Sequence, residues 1–187
     1  MKTTKDKKMK MYVITLSRVF PVKHPLAGKP TFFKTKLENA NVIPFDESNR
    51  QPIPDGQPQI KLHTIRENYP LWRKRFDEIE QGDACLSLRE WTGKPYASKQ
   101  IEIARLTDAD GIGVQRLQFI PLNGDLGNFI TSIDFRCHRM PEALNLAHEL
   151  ASKDGLTFAD WKEWFFGNIK YDFRKPLAII HFTKVRY

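Results

Sequence analysis

The feature that most constrains the fold of this chain is the shortness of its apolar segments. No apolar run exceeds four residues, and the longest are Met11–Ile14 and Leu177–Ile180. Because a helix needs about 20 apolar residues to cross a membrane, the sequence predicts no transmembrane span. Short apolar runs separated by turn residues are typical of strands and amphipathic helices that share one core.

These runs predict six or seven short strands with helices between them. The clearest strands are predicted at Tyr12–Leu16, Ile60–Arg66, Ala84–Arg89, Gln100–Leu106, Phe129–Phe135 and Leu177–Thr183. Helices are predicted to begin near Thr31, Pro70, Pro141 and Thr157, where a proline or a capping residue precedes an apolar stripe. The connections are too irregular for repeated βαβ units. We therefore expect an α+β fold, a mixed sheet or small β-barrel with helices packed on it.

Length and charge suggest how the chain is organised. A chain of 187 residues suits one domain. Residues 1–10 hold five lysines and one acid, which supplies +4 of the net charge of +8, and they predict a flexible basic tail. Residues 11–187 are then a single domain. From residue 38 to about 60 the apolar pattern fades and prolines accumulate, which predicts an inserted loop.

Composition excludes several classes of protein. The charged start has no apolar segment behind it, so no secretory signal peptide is predicted. Cys85 and Cys137 lie far apart, which excludes a disulfide framework or a zinc ribbon. We expect a cytoplasmic protein with no metal site and no cofactor. The five histidines are scattered and are expected at the surface or as satisfied core residues, and the sequence leaves the oligomeric state open. The positive net charge favours an anionic partner, nucleic acid first.

The segment Lys61-Leu-His-Thr-Ile-Arg66 is the first candidate site. In a regular strand Thr64 and Arg66 share one face and Lys61 lies on the other, so Lys61 joins them only if the chain bends before the strand. A lysine that is desolvated beside an arginine has a lowered pKa and can deprotonate a threonine hydroxyl. The alternative is a strand whose polar face lies in water.

A second candidate lies between residues 89 and 99, where cations alternate with aromatic residues. Arg89 and Lys94 could contact phosphate, and Trp91 and Tyr96 could stack on bases. The alternative is an ordinary hairpin tip whose aromatic rings cover the edge of the sheet. The stripe Phe158, Trp161 and Phe165 is interpreted as core.

The string Lys61-x-x-Thr64-Ile-Arg66 resembles the G-x-K-x-x-T-x-R signature of the ASCH domain family, whose small β-barrel is related to the PUA RNA-binding fold. Gln59 stands where the signature has glycine. The flanking elements follow in the family's order, namely Phe33–Leu37 before the signature, then Gly82-Asp83, Asp154-Gly155 and Leu177–Phe182. The resemblance spans residues 11–187, with 38–60 and 107–135 as additions.

The resemblance implies a cleft that binds RNA or a modified nucleobase or nucleoside. One branch of the family removes the acetyl group from N4-acetylcytidine with a threonine, a lysine and a carboxylate. By position these are Thr64, Lys61 and Asp154, although Asp154 is one methylene shorter than the family's glutamate. Lys61 would act as the base toward Thr64, Asp154 would orient Lys61 or relay protons, and Arg66 would stabilise the oxyanion. The rivals are an RNA-binding module without catalysis and a regulatory protein that binds a partner through its proline-rich loop.

Overall fold

This computed structural model contains four α-helices and eight strands and describes residues 9–122, 125–167 and 175–187. The strands are β1 (Lys10–Leu16), β2 (His63–Arg66), β3 (Ala84–Trp91), β4 (Gln100–Leu106), β5 (Gly113–Leu122), β6 (Asp125–Ile133), β7 (Arg136–His138) and β8 (Leu177–His181). The helices are α1 (Phe33–Asn39), α2 (Tyr69–Glu80), α3 (Glu142–Lys153) and α4 (Phe158–Phe166). The α+β class predicted from the sequence is confirmed.

The strands form two sheets. The first has the order β1-β3-β4, with β1 parallel and β4 antiparallel to β3. The second has the order β2-β8-β5-β6-β7 and is antiparallel throughout. No closed barrel is formed by the described strands, because each sheet ends in strands that pair on one side only.

Strand β5 departs from the sequence prediction. The sequence predicts no strand between residues 107 and 128, yet β5 lies between β8 and β6 in the interior of the second sheet. Leu117 is fully buried and pairs with Leu177 of β8. Glycines on either side of this strand masked its alternating pattern in the sequence.

Helix α2 buries the stripe that its spacing predicts, whereas in the predicted stripe of α4 only Trp161 is fully buried and Phe158 and Phe165 are partly buried. Trp72, Phe76 and Ile79 of α2 are buried, and this helix contacts strands of both sheets. Its first turn is capped by Asn68, whose side chain accepts a hydrogen bond from the amide of Leu71. Helix α4 is capped by Thr157, whose hydroxyl accepts from the Asp160 amide at 3.1 Å. The two caps therefore set where these helices begin.

The predicted tail and loop have little regular structure among the described residues. Residues 1–8 of the tail lie outside the described part of the chain, and Lys10 is already the first residue of β1. Between α1 and β2 the chain holds a single 3₁₀ turn, Glu47–Asn49, and neither strand nor α-helix. None of the described helices is long and apolar enough to cross a membrane.

Two histidines pair across β2 and β8 at the β2 edge of the second sheet. His63 lies opposite His181, with ring centroids 5.8 Å apart, and both side chains are buried. The Tyr187 hydroxyl lies 3.1 Å from His63 Nδ1, but the Nε2 atoms of both histidines make no hydrogen bond to any described residue. The expectation of satisfied core histidines is therefore wrong for this pair, whereas buried His24 bonds through both ring nitrogens.

Acid pH should destabilise the fold through this histidine pair. Burial lowers the pKa of His181 to about 3 and lowers the pKa of His63 well below 6.5, so the folded chain holds both rings neutral. The unfolded chain binds their protons near pH 6.5, so stability is full above that pH and falls as the pH drops toward 3. Each histidine contributes up to about 1.4 kcal/mol per pH unit.

Urea unfolding between pH 6 and pH 4 measures this effect. We expect the free energy of unfolding of His181→Leu to fall less steeply than that of the wild type, by about 1.4 kcal/mol per pH unit. Ile179→Val, which shortens a buried side chain of the same strand without changing a titratable group, should keep the wild-type slope. Equal slopes for His181→Leu and the wild type would contradict the assignment.

Candidate active site

A buried ion pair lies at the turn between α3 and α4. Lys61 Nζ donates a hydrogen bond to the Asp154 carbonyl oxygen at 2.6 Å and another to Asp154 Oδ1. The side chains of Lys61 and Asp154 are 1% and 4% exposed. Ion pairs this far from water are uncommon, because each charge must be compensated by its neighbours. The predicted pairing of Lys61 with Asp154 is therefore present in the structure.

The chain reaches this geometry by bending before β2. The sequence predicted a strand from Ile60, which would have placed Lys61 and Thr64 on opposite faces. In the structure the strand begins at His63, and Lys61 belongs to an irregular segment. The Lys61 amide donates to the Lys36 carbonyl at 3.1 Å, and the Leu62 amide donates to the Lys153 carbonyl at 2.7 Å. These bonds attach the segment to α1 and to the end of α3.

A second buried lysine stabilises the same turn. Lys36 is 1% exposed, and its Nζ donates to the Gly155 carbonyl at 2.7 Å. Burial lowers the pKa of Lys36 to about 8, and the charge of Lys61 acts in the same direction. Sequence reasoning missed this residue. The signal was its position on α1, one turn after Phe33 and next to Leu37, on the helix face that is otherwise apolar.

Gly155 ends α3 in a conformation that suits glycine. Its φ is +81°, and the amides of Gly155 and Leu156 donate to the carbonyls of Ser152 and Ala151, which is a Schellman motif. A Cβ atom on Gly155 would lie 3.2 Å from Lys36 Cδ and 3.3 Å from Lys61 Cβ. The glycine thus allows both lysines to approach the turn.

Thr64 and Arg66 complete the polar group. Both lie on β2, and the Arg66 guanidinium donates to the Thr15 carbonyl of β1 at 2.9 Å, which joins the two sheets. Thr64 is 4% exposed, and its hydroxyl forms no hydrogen bond with Lys61 or any other described residue. The hydroxyl is therefore available to a ligand.

Lys61, Thr64, Arg66 and Asp154 line one cavity of about 70 Å³, which we call the Lys61 cavity. Its apolar wall is formed by Phe33, Leu156, Trp164 and Phe165, with Thr15, Leu16 and Ser17 at the end of β1. The Phe33 ring centroid lies 4.2 Å from Lys61 Nζ, which keeps water from the amine. Phe165, which the sequence predicts as core, is partly buried, packs against the core and also lines the cavity. Trp164 was also missed.

Burial dominates the electrostatics of the cavity. It lowers the pKa of Lys61, and the charge of Arg66 acts in the same direction, while Asp154 opposes the shift. Burial also raises the pKa of Asp154, against the charge of Lys61. The pKa of Arg66 is lowered by burial as well. Each shift favours the neutral form, so the amine of Lys61 can exist as a base within the pair.

Two further cavities adjoin the Lys61 cavity. The first, of about 350 Å³, shares Leu16, Ser17 and Phe33 with it and is also lined by Arg18 and Glu90; we call it the Arg18 cavity. The second, of about 180 Å³, is mostly apolar and shares Arg66, Trp164 and Phe165. Gln51 of the predicted inserted loop lines the Arg18 cavity.

The second candidate group is not part of the lining of these cavities. Arg89, Trp91, Lys94 and Tyr96 line none of the three. Arg89 donates to Ser87 on the face of the first sheet. Trp91 and Tyr96 lie at the β3–β4 hairpin with ring centroids 5.5 Å apart, and Tyr96 is 93% exposed. The hairpin borders the Arg18 cavity, since Arg18 donates to the Thr92 carbonyl at 3.3 Å.

Among the residues that the structure describes, no three His, Cys, Asp or Glu side chains are close enough together to hold a metal ion. Comparisons with known proteins found no matching family model, no matching curated protein and no matching solved structure.

Removing one partner of the buried ion pair should destabilise the fold strongly. Lys61→Met leaves the Asp154 carboxylate buried without its cation, and we expect a loss of about 3–5 kcal/mol in the free energy of unfolding. Arg105→Met, which breaks an exposed pair with Glu102, should cost under about 1 kcal/mol. The double variant Lys61→Met/Asp154→Leu should be more stable than Lys61→Met alone. Additive losses in urea unfolding would contradict this coupling.

An alanine at Gly155 should also be costly. Gly155→Ala combines a left-handed backbone with close contacts to both lysines, and we expect a loss of about 2–4 kcal/mol. Gly82→Ala is the matched control, because Gly82 has a φ of +76° and nothing within 4 Å of an added Cβ. Its cost should be near 1 kcal/mol. Equal costs in thermal or urea unfolding would show that the lysines accommodate the methyl group.

Proposed function

We propose that the Lys61 cavity binds an acylated nucleobase and hydrolyses the exocyclic amide. The observation that carries this proposal is that Lys61, Thr64, Arg66 and Asp154 all line one small cavity with an aromatic wall. Aromatic side chains suit the faces of a planar base, and the four polar groups supply a nucleophile, a base and an oxyanion donor. Membership of the ASCH family, with its PUA-like architecture, and a cytoplasmic location are part of the proposal.

The proposed reaction proceeds in two steps. Neutral Lys61 accepts the proton of the Thr64 hydroxyl as the oxygen attacks the acyl carbon. The C–N bond then breaks, the proton passes to the departing amine of the base, and the acyl group remains on Thr64 as an ester. Water hydrolyses this ester, which releases a carboxylic acid and restores Thr64. Arg66 stabilises the negative oxygen in both steps.

Burial of Lys61 supports its role as the base. An amine acts as a general base only while it is neutral, and burial lowers the pKa of Lys61. Asp154 holds the amine through a hydrogen bond to Oδ1, and the Asp154 carbonyl accepts a second one at 2.6 Å. One of these hydrogen bonds must break for Lys61 to reach the Thr64 hydroxyl. The bound substrate would favour this rearrangement, because it excludes water from the cavity.

A second candidate function is RNA binding without catalysis. Two observations favour it, namely that no hydrogen bond joins Lys61 to Thr64 among the described residues, and that Trp91 and Tyr96 form an accessible aromatic pair. Half-buried Trp91 and exposed Tyr96, with Lys94 between them in the sequence, suit stacking on unpaired bases. This alternative predicts salt-dependent RNA affinity and no turnover.

Incubation with N4-acetylcytidine, followed by chromatographic detection of cytidine and acetate, tests the proposal. We expect turnover by the wild type and a loss of about 10²–10⁴-fold in kcat for Thr64→Ala, because the nucleophile is removed. Thr64→Ser should retain part of the activity.

Thr131→Ala serves as the matched control, since Thr131 is equally buried in the second sheet and lines none of the three cavities. It should keep wild-type turnover. Activity that survives Thr64→Ala would overturn the mechanism, and absence of turnover in the wild type together with RNA affinity would favour the binding module.

A further inference from the structure

The Arg18 cavity continues from the Lys61 cavity along a shared wall. Leu16, Ser17 and Phe33 line both, so a ligand with its base in the Lys61 cavity can extend into the Arg18 cavity. The Arg18 cavity is the larger, at about 350 Å³ against about 70 Å³. A substrate that filled the Lys61 cavity alone would leave the greater part of this cleft empty.

Two opposite charges line the Arg18 cavity without neutralising each other. Glu90 pairs with Leu16 in the β1–β3 register, and Arg18 follows Leu16 by two residues. Among the described residues, the Arg18 guanidinium donates only to the Thr92 carbonyl, and neither Arg18 nor the Glu90 carboxylate forms an ion pair within 4 Å. Lys34, the other cation of this cavity, forms an ion pair with Asp46 at 2.8 Å. Its pKa is raised mainly by the hydrogen bond to Asp46 and also by the charge of Glu90, with which it forms no ion pair.

We propose that the Arg18 cavity binds the ribose phosphate of a ribonucleotide whose acylated base occupies the Lys61 cavity. Arg18 donates to the phosphate oxygens, which match its planar donor pattern. Glu90 accepts hydrogen bonds from the ribose hydroxyls, as a carboxylate without a cation partner can. This inference rests on the proposed function. It identifies the substrate as a nucleotide, because a free nucleobase or nucleoside lacks the phosphate that Arg18 would bind.

Binding of cytidine 5′-monophosphate and cytidine to the full chain tests the phosphate contact without any reaction, since neither carries an acyl group. By calorimetry we expect the nucleotide to bind at least about tenfold more tightly. Arg18→Gln should remove this gain, whereas Arg139→Gln, which changes an exposed arginine outside the three cavities, should retain it. Equal affinities, or a gain that survives Arg18→Gln, would overturn the proposal.

The ribose contact has its own test. The wild type should prefer cytidine 5′-monophosphate over its 2′-deoxy form, and Glu90→Ala should reduce that preference while leaving the effect of Arg18→Gln in place. A preference unchanged by Glu90→Ala would remove Glu90 from the site. A cytidine trinucleotide is compared with the 5′- and 3′-monophosphates in the same assay. If the trinucleotide binds more tightly and Arg18→Gln removes the difference, the phosphate belongs to an RNA strand. Equal binding would identify the free nucleotide.

Hydrolysis separates failure of this inference from failure of the proposed function. With N4-acetylcytidine and its 5′-monophosphate as substrates, we expect kcat/KM to be about tenfold higher for the nucleotide. If both are hydrolysed with equal kcat/KM, the nucleotide inference fails and the amidohydrolase stands. If neither is hydrolysed but the Arg18-dependent affinity persists, the nucleotide site stands and the proposed reaction fails.

Discussion

The contact between Lys61 and Asp154 is the interaction on which the site depends. It joins the segment before β2 to the turn after α3, which are 93 residues apart in the chain. In the interior neither charge is tolerated without the other, so the pair fixes both segments at once. Lys36 then adds a second cation to the same turn through the Gly155 carbonyl. The position of the candidate base is thereby set by three parts of the chain.

The same burial that makes this ion pair costly to form also makes it suitable for proton transfer. Removal of water lowers the pKa of Lys61 and raises the pKa of Asp154, so burial makes the transfer of a proton from Lys61 to Asp154 less unfavourable than it is in water. The pair is buried because it lies where the two sheets meet. Phe33 and the aromatic residues of α4 exclude water on one side, and the Arg66 contact with β1 closes the other.

Much of this arrangement follows from local sequence patterns, and the rest depends on long-range packing. The Thr157 cap of α4, the stripe of α2 and the residues of the Lys61–Arg66 segment follow from spacing and chemistry. The bend that turns Lys61 toward Thr64 could not be predicted, because it results from backbone bonds to Lys36 and Lys153. Nor could Lys36, Trp164 or Arg18, whose roles arise only when α1, α4 and β1 meet around one cavity.

The order of strands in the second sheet has a consequence for when the site forms. Among the described strands, β2, which carries Thr64 and Arg66, pairs only with β8, more than one hundred residues later in the chain. During synthesis the ribosome therefore releases Thr64 long before its partner strand exists, and the cleft cannot assemble until residue 181 has emerged. Closing such a long loop slows folding. The binding cleft is thus expected to be among the last parts of the molecule to acquire its native structure.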